Sequence, residues 1–396
     1  MKKNVAERIE KISYAVREIV EEAKKLEKQG KKVYYMNIGD PIKYDFETPK
    51  HLHDAVVEKK HFSGYGDSIG LDEAKQAIVG KARRDGLKGV DEDDVLITSG
   101  GSEGIIFSIG ALMDPGENIL VPKPDYPLYS FYHTFFGGKD NFYYLNEEDD
   151  WQPDVDDIRK QVNEKTKAIV VVNPNNPTGS VYSKKILQGV VDVAAEHDLI
   201  IISDDTYERI IFDGKKHVVI GSIAKDVPVV TLHSMSKVYL VPGWRLGWMV
   251  FHDPAQRIQD YKEACKKLAR ARLSSVHHHQ FGIKAGLEGS HKHVEEMVKK
   301  LQKRRDITYK RLNEINGISC VKPEGAFYAF PRIDLPIKSD KEFILDLLHE
   351  EGVLFVHGSG FGQRPGTYHF RVVFLAPEET LNIVYNKLES FVNKHF

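Results

Sequence analysis

Cysteine is scarce: Cys265 and Cys320 are the two thiols in 396 residues. They lie far apart, so they form neither a metal-ligand spacing nor a disulfide framework, and they point to a reducing compartment. Nowhere do about 18 apolar residues run together, which argues against a membrane-spanning helix and a membrane role. The opening stretch Met1–Glu10 is charged and has no apolar core of the secretory kind, so a cytoplasmic chain is expected. An excess of one charge is also missing. Fifty-six Lys and Arg face 58 Asp and Glu, a formal charge of -2, which argues against nucleic acid or an anionic membrane surface as partner. Low-complexity tracts and short internal repeats are absent, excluding solenoids and linker-like chains.

What is present is a folding pattern. The length allows two or three domains at about 100–200 residues each. Ala6–Glu27 carries apolar residues at helical spacing and ends near Gly30, a residue suited to a left-handed C-cap. The middle alternates apolar β-branched runs, at Val95–Thr98, Asn118–Val121, Ala168–Val172, Leu199–Ile202, Val229–Leu232 and Trp248–Phe251, with helical patterns such as Lys184–His197. Near-continuous apolar strands alternating with helices predict a largely parallel sheet buried on both faces, hence an α/β fold. Beyond Gly289 the texture changes. A Lys- and Arg-rich helix pattern, Val294–Leu312, precedes short strands near Phe327–Phe330, Val353–Val356 and His369–Phe374, then a last helix, Glu378–Val392. The expected division is a large domain, 46–288, and a smaller α+β domain built from 1–45 plus 289–396.

Ligands of open α/β sheets bind at the carboxyl ends of the strands. Three segments fall there: N-P-N-N-P-T-G (Asn173–Gly179), D-D-T-Y (Asp204–Tyr207) and S-M-S-K (Ser234–Lys237). They bring an amide, a carboxylate, a phenol and a lysine to one rim. A lysine whose amine is partly neutral forms a Schiff base with a carbonyl. Arg245, in G-W-R-L-G-W, suits a phosphate. T-S-G-G-S-E-G (Thr98–Gly104) places glycines at a strand-to-helix turn, where backbone N–H groups face anions.

Singly, each residue has an ordinary structural explanation. Asn173–Gly179 could be a turn, Asp204 a helix cap, Tyr126 core, and Arg371 an ion-pair residue. Asp205 reads as a surface or capping residue, and Lys299–Arg311 as the solvated face of a helix. The run His277–His279 points its rings in different directions and has no carboxylate or cysteine at useful spacing, so no metal site is expected.

Taken together, S-M-S-K…G-W-R-L-G, N-P-N-N-P-T-G and D-x-x-Y in this order resemble the fold-type-I aminotransferases of class I/II over nearly the whole chain. The resemblance implies a mostly parallel seven-stranded sheet in the large domain, a homodimer with shared active sites, and pyridoxal 5′-phosphate as cofactor. It matches Lys237 to the lysine that holds the cofactor covalently, and Asp204 to the partner of its ring nitrogen. Tyr207 and Asn176 match the residues on its phenolic oxygen, and Tyr126 the aromatic stacked on its ring. Gly101, Ser102, Glu103, Ser234, Ser236 and Arg245 match the phosphate contacts, and Tyr65 a tyrosine that reaches the neighbouring subunit's phosphate. Arg371 and Gly39, with Asn176, match the contacts to the substrate α-carboxylate.

The partners implied are small amino acids and 2-oxo acids. S-Y-A-V-R-E-I-V (Ser13–Val20), W-Q-P-D-V-D-D-I (Trp151–Ile158) and H-G-S-G-F-G (His357–Gly362) resemble the archaeal and bacterial alanine aminotransferase group. There, residues matching Tyr14 and Arg17 lie at the substrate entrance, and Arg17 is the expected cation for a second carboxylate. The expected pairing is L-alanine with 2-oxoglutarate. Aspartate, aromatic or broad specificity is the alternative, followed by a C–S lyase of the same fold.

Overall fold

A computed structural model describes residues 5–10, 12 and 15–396, with only the backbone of 16–18. The expected helix Ala6–Glu27 is divided: a single turn, Glu7–Glu10, precedes helix α1, Ala15–Lys28. Gly30, at φ 82°, closes α1, and the following Lys31 N–H reaches back to the Leu26 carbonyl. That is how a left-handed residue satisfies the last carbonyls of a helix.

The centre is an eight-stranded sheet. In chain order its strands are β1 Val95–Thr98, β2 Asn118–Lys123, β3 Phe142–Asn146, β4 Gln152–Pro153, β5 Thr166–Val172, β6 Ile200–Asp204, β7 Val229–Ser234 and β8 Gly247–His252. Their spatial order is β1-β8-β7-β6-β5-β2-β3-β4. Neighbours from β7 through β3 run parallel. β8 is antiparallel to both its neighbours, and the edge strand β4 is antiparallel to β3. The expectation of seven strands is short by β4, two residues that pair with Leu145 and Asn146.

The sheet is buried on both faces, as its sequence requires. Ala168, Val170 and Val172 of β5 pack with Ile105 and Ile109 of helix α2, Gly101–Gly110. The alternate residues Ile169 and Val171 pack with Leu187, Val190 and Ala194 of helix α4, Lys184–Glu196. Between these lie helix α3, Leu128–Phe135, and, after β7, the one-turn helix α5, Met235–Val238. Ser183 caps α4, its hydroxyl accepting the Ile186 N–H.

Both ends of the chain form the rest. Helices α6, Lys292–Glu314, and α7, Glu378–His395, pack against a three-stranded antiparallel sheet. In that sheet β11, Phe370–Val373, lies between β9, Tyr328–Ala329, and β10, Val356–His357. Tyr34–Tyr35 pairs in parallel with Val353–Leu354, tying the N-terminal segment to the C-terminal part. α6 is not merely solvated along its basic stretch, contrary to the sequence reading. Arg304 and Arg305 are buried, each gripping a carboxylate with two hydrogen bonds: Arg304 that of Asp45 at 2.8 Å, Arg305 that of Asp213 at 2.9 Å. A guanidinium is buried at less cost where a carboxylate accepts its hydrogens, and in both pairs Nη2 reaches both carboxylate oxygens. Among the described residues, no helix is long and apolar enough to cross a membrane.

Candidate active site

Because β8 is antiparallel to both β7 and β1, those two strands are parallel to one another. The carboxyl ends of β1, β2, β5, β6 and β7 therefore share one rim. Over that rim lies a cavity of about 600 Å³, within the usual range for small-molecule sites. Its lining brings together Gly39, Gly101, Ser102, Tyr126, Asn176, Asp204, Tyr207, Ser234, Ser236, Lys237, Arg245 and Arg371.

Asp204 is the last residue of β6. Its carboxylate accepts the Tyr129 hydroxyl at 3.0 Å and the Thr206 N–H at 3.1 Å. Burial pushes its pKa up; the Thr206 and Tyr129 hydrogen bonds oppose this, and the charge of Asp205 adds to it. A cation placed against the carboxylate would reverse the rise. The Tyr207 hydroxyl lies 2.7 Å from that of Tyr328, and burial with this neighbour holds its pKa well above the usual phenol value. Lys237, on α5, donates from Nζ to the Gly39 carbonyl at 2.5 Å and stands 5.7 Å from the Phe327 ring centroid.

Arg371 is on the central strand β11 and is 2 % exposed. Its guanidinium donates to Asn176 Oδ1 at 2.9 Å and to the Asn37 carbonyl at 2.6 Å. The rings of Tyr328 and Phe361 lie 4.8 and 4.7 Å from its Cζ. Its Nε makes no hydrogen bond among the described residues. A buried orphan donor costs free energy until an acceptor arrives, and here a carboxylate is the shape that fits.

The opposite corner is built for an anion. Gly100, at φ 81°, turns the chain from β1 into α2, so the first amides of α2 face the cavity. A Cβ on Gly100 would lie 2.5 Å from Arg245 Nη2. Ser234 ends β7 and caps α5, its hydroxyl accepting the Ser236 N–H at 3.1 Å and donating to Ser236 Oγ at 2.9 Å. Arg245, itself left-handed at φ 52°, donates to the Pro242 carbonyl.

Two expected site residues stand elsewhere, and two more have no described side chain. The Glu103 carboxylate turns back to accept the Ser99 N–H at 2.7 Å and lies 3.5 Å from Arg272, so it serves the start of α2 and not the cavity. Tyr65 is 84 % exposed and outside the cavity. Tyr14 lies outside the described residues, and Arg17 is described by backbone alone.

Other residues escaped the sequence reading. Tyr129, the hydroxyl partner of Asp204, gave only one signal, its place a helical turn after Tyr126. Tyr328 joins Tyr207 to Arg371 across elements distant in sequence. Lys43, exposed, lines the cavity. Asp205 is neither surface nor cap: it is buried, accepting Ser203 Oγ at 2.6 Å and lying 3.0 Å from His217 Nε2.

A rim of this kind, holding a lysine, a buried carboxylate, an anion corner and a buried arginine, defines a group-transfer site for carboxylate substrates. The model of the family described as aminotransferase class I and II matches residues 35–388, and the chain belongs to that family. It is 40% identical to the glutamate-pyruvate aminotransferase of Haemophilus influenzae, covering 98% of each chain. It is 38% identical to the alanine aminotransferase of Mycobacterium bovis, covering 97% of this chain and 91% of that one. A solved structure of alanine aminotransferase from Pyrococcus furiosus superposes with a TM-score of 0.95 at 47% identity, over 99% of this chain and 100% of that one.

Proposed function

We propose that the chain transfers an amino group from L-alanine to 2-oxoglutarate, giving pyruvate and L-glutamate, with pyridoxal 5′-phosphate as cofactor. One observation carries the chemistry: the Lys237 amine, the buried Asp204 carboxyl and Arg371 line one cavity. The cavity fits the cofactor on its own features. A buried carboxyl suits a basic ring nitrogen, an amine suits an aldehyde, and the glycine turn with Ser234, Ser236 and Arg245 suits an anion. The names of the similar enzymes support the substrate pair.

When bound, the cofactor supplies an electron sink for the pair left on the substrate Cα. Asp204 then holds the ring nitrogen protonated, a role its hydrogen bonds from Tyr129 and Thr206 favour by stabilising the anion. Lys237 Nζ would take the Cα proton and hand it on, general acid–base work worth about 10²–10⁴-fold. Arg371 and Asn176 orient the α-carboxylate, with the Gly39 backbone beside them. Tyr207 and Asn176 hold the phenolic oxygen, and Tyr126 covers the ring. Arg17, with Tyr14, takes the second carboxylate of glutamate. The active form is a cytoplasmic homodimer in which Tyr65 reaches its neighbour's phosphate corner. The domains divide as 46–288 against 1–45 plus 289–396.

The test is a half-reaction screen: holoenzyme is mixed with single amino acids, and loss of the lysine-bound cofactor's absorption is followed. Alanine and glutamate should react fastest. Faster reaction with aspartate or an aromatic acid would move the specificity, and ammonia release without an acceptor would indicate a lyase. Arg17→Ala should lower kcat/KM for glutamate about tenfold or more and spare alanine, as loss of one charged hydrogen bond does. If only Lys43→Ala does so, the second cation is Lys43. Borohydride reduction should fix the cofactor to the peptide containing Lys237; any other peptide overturns the reading.

A further inference from the structure

Beneath the cavity, β5 and β6 run side by side up to the pairing of Val172 with Asp204. The Asn173 N–H still reaches the Asp204 carbonyl at 3.1 Å. Past that point the two chains part. One goes on to Asn176, the other turns at Asp205. A third segment returns between them and brings one buried side chain, His217. His217 Nδ1 lies 3.3 Å from Asn173 Nδ2, and its Nε2 lies 3.0 Å from Asp205 Oδ2.

The hydrogen-bond pattern fixes the ring's proton. Asn173 Oδ1 already accepts the Tyr182 N–H at 3.0 Å, so the amide turns its NH₂ toward the imidazole. Nδ1 is then an acceptor, and Nε2 carries the hydrogen that Asp205 accepts. The donors run in one direction, from Tyr182 through Asn173 and His217 to Asp205, whose other oxygen accepts Ser203 Oγ. Burial opposes an imidazolium here, but Asp205 and Glu208 favour one against Lys81, and the balance holds the His217 pKa above the ordinary imidazole value. A second proton would nevertheless face the Asn173 NH₂ and find no acceptor. The nearby carboxylate of Glu208 is already met by Lys81 at 2.7 Å.

We propose that His217 is a positioning residue for the transamination site, bridging Asn173 and Asp205 so that Asn176 and Asp204 hold a fixed separation. The proposal rests on the reading of those two residues as cofactor contacts. They come from adjacent strands and act on different edges of one planar ring, so a shift between their loops would misplace one edge while leaving Lys237 where it is. The side chain acts through its neighbours and does not itself line the cavity.

Two variants separate bridging from bulk. His217→Leu keeps the volume and loses both hydrogen bonds, whereas His217→Gln keeps an acceptor for Asn173 and a donor for Asp205. In His217→Leu, kcat of the alanine half-reaction should fall about tenfold or more, the cost of stranding two buried polar partners, with KM little changed. The pH midpoint at which the lysine-bound cofactor changes colour should also shift. His217→Gln should restore both. Tyr385→Phe, which removes a buried hydroxyl that donates to Thr308 at 2.8 Å far from the cavity, controls for stability: its Tm should drop and its cofactor spectrum should stay. Should His217→Leu not fold, Asn173→Ser breaks one link of the same bridge and carries the same expectation. A wild-type midpoint and kcat in the Leu variant would overturn the proposal, and so would a Gln variant as impaired as Leu. Failure of the wild-type chain to take the cofactor on Lys237 would sink the reading of the site, and this inference with it, before any variant is made.

Discussion

At the scale of single residues, the site depends on how little water reaches Asp204. A carboxyl buried beside Asp205 has its pKa raised, and two neutral donors work against the rise. Asp204→Asn keeps the shape and removes the charge that would hold a protonated ring nitrogen. Its half-reaction kcat should fall about 10²–10³-fold, the usual cost of losing one preorganised electrostatic partner, while the cofactor remains attached to Lys237. Tyr129→Phe removes only the 3.0 Å hydrogen bond; kcat should fall about tenfold, consistent with one hydrogen bond to a charged group. That bond lowers the pKa of Asp204, so without it the pKa rises and the acid limb of the pH–rate profile should move to higher pH. A Tyr129→Phe profile that overlays the wild type would show that Thr206 alone sets the charge. Asp204 was legible only in company: alone it reads as a helix cap, but D-D-T-Y follows an apolar strand in the same order as the other rim motifs. Tyr129 and His217 were not, because each matters through a partner tens of residues away, and nothing in the local pattern marks that meeting.

At the scale of elements, legibility followed burial. The six strands read from sequence have continuous apolar runs because helices cover both faces of the sheet. β3, Phe-Tyr-Tyr-Leu-Asn, was missed because its residues alternate between buried and half-buried, and β4 is too short to show a period. On α6 the pattern showed a basic helix but not which face of it carried Arg304 and Arg305 inward, since their partners Asp45 and Asp213 lie far off in sequence. The β1–α2 turn shows what an element boundary contributes to the chemistry. Gly100 is left-handed and touches the space of Arg245, so a side chain there meets both backbone strain and a guanidinium. Gly100→Ala should cost about 1–3 kcal/mol of stability through strain, read as a lower Tm of the cofactor-free chain. It should also weaken cofactor binding more than it weakens substrate binding. Equal loss of both would mean that the turn holds the whole rim and not its anion corner.

At the scale of the whole molecule, the cavity is assembled from every part of the chain. The sheet rim supplies Asn176, Asp204 and Lys237, the N-terminal segment supplies Gly39, and β11 supplies Arg371. Such a site forms only when the two ends of the chain close against the central sheet, and Arg304, gripping Asp45 and the Leu375 carbonyl, is one of the clasps that hold them there. One expected contributor, Tyr65, does not line this chain's own cavity and is 84 % exposed. A phenol so exposed has little to do in an isolated chain, but in a symmetric pair it would face the other copy, since a two-fold interface presents the same patch from both sides. Mixing two inactive variants tests that sharing. Lys237→Ala chains lack the amine, and Tyr65→Ala chains should lose most of their hold on the cofactor. Exchange of subunits creates a hybrid with one site carrying both wild-type residues, so at equal mixing about a quarter of all sites should regain activity, the share expected for a two-fold dimer. Sites that are complete within one chain would give no recovery on mixing, and a chain that sediments as a monomer while fully active would place Tyr65 outside the machinery altogether.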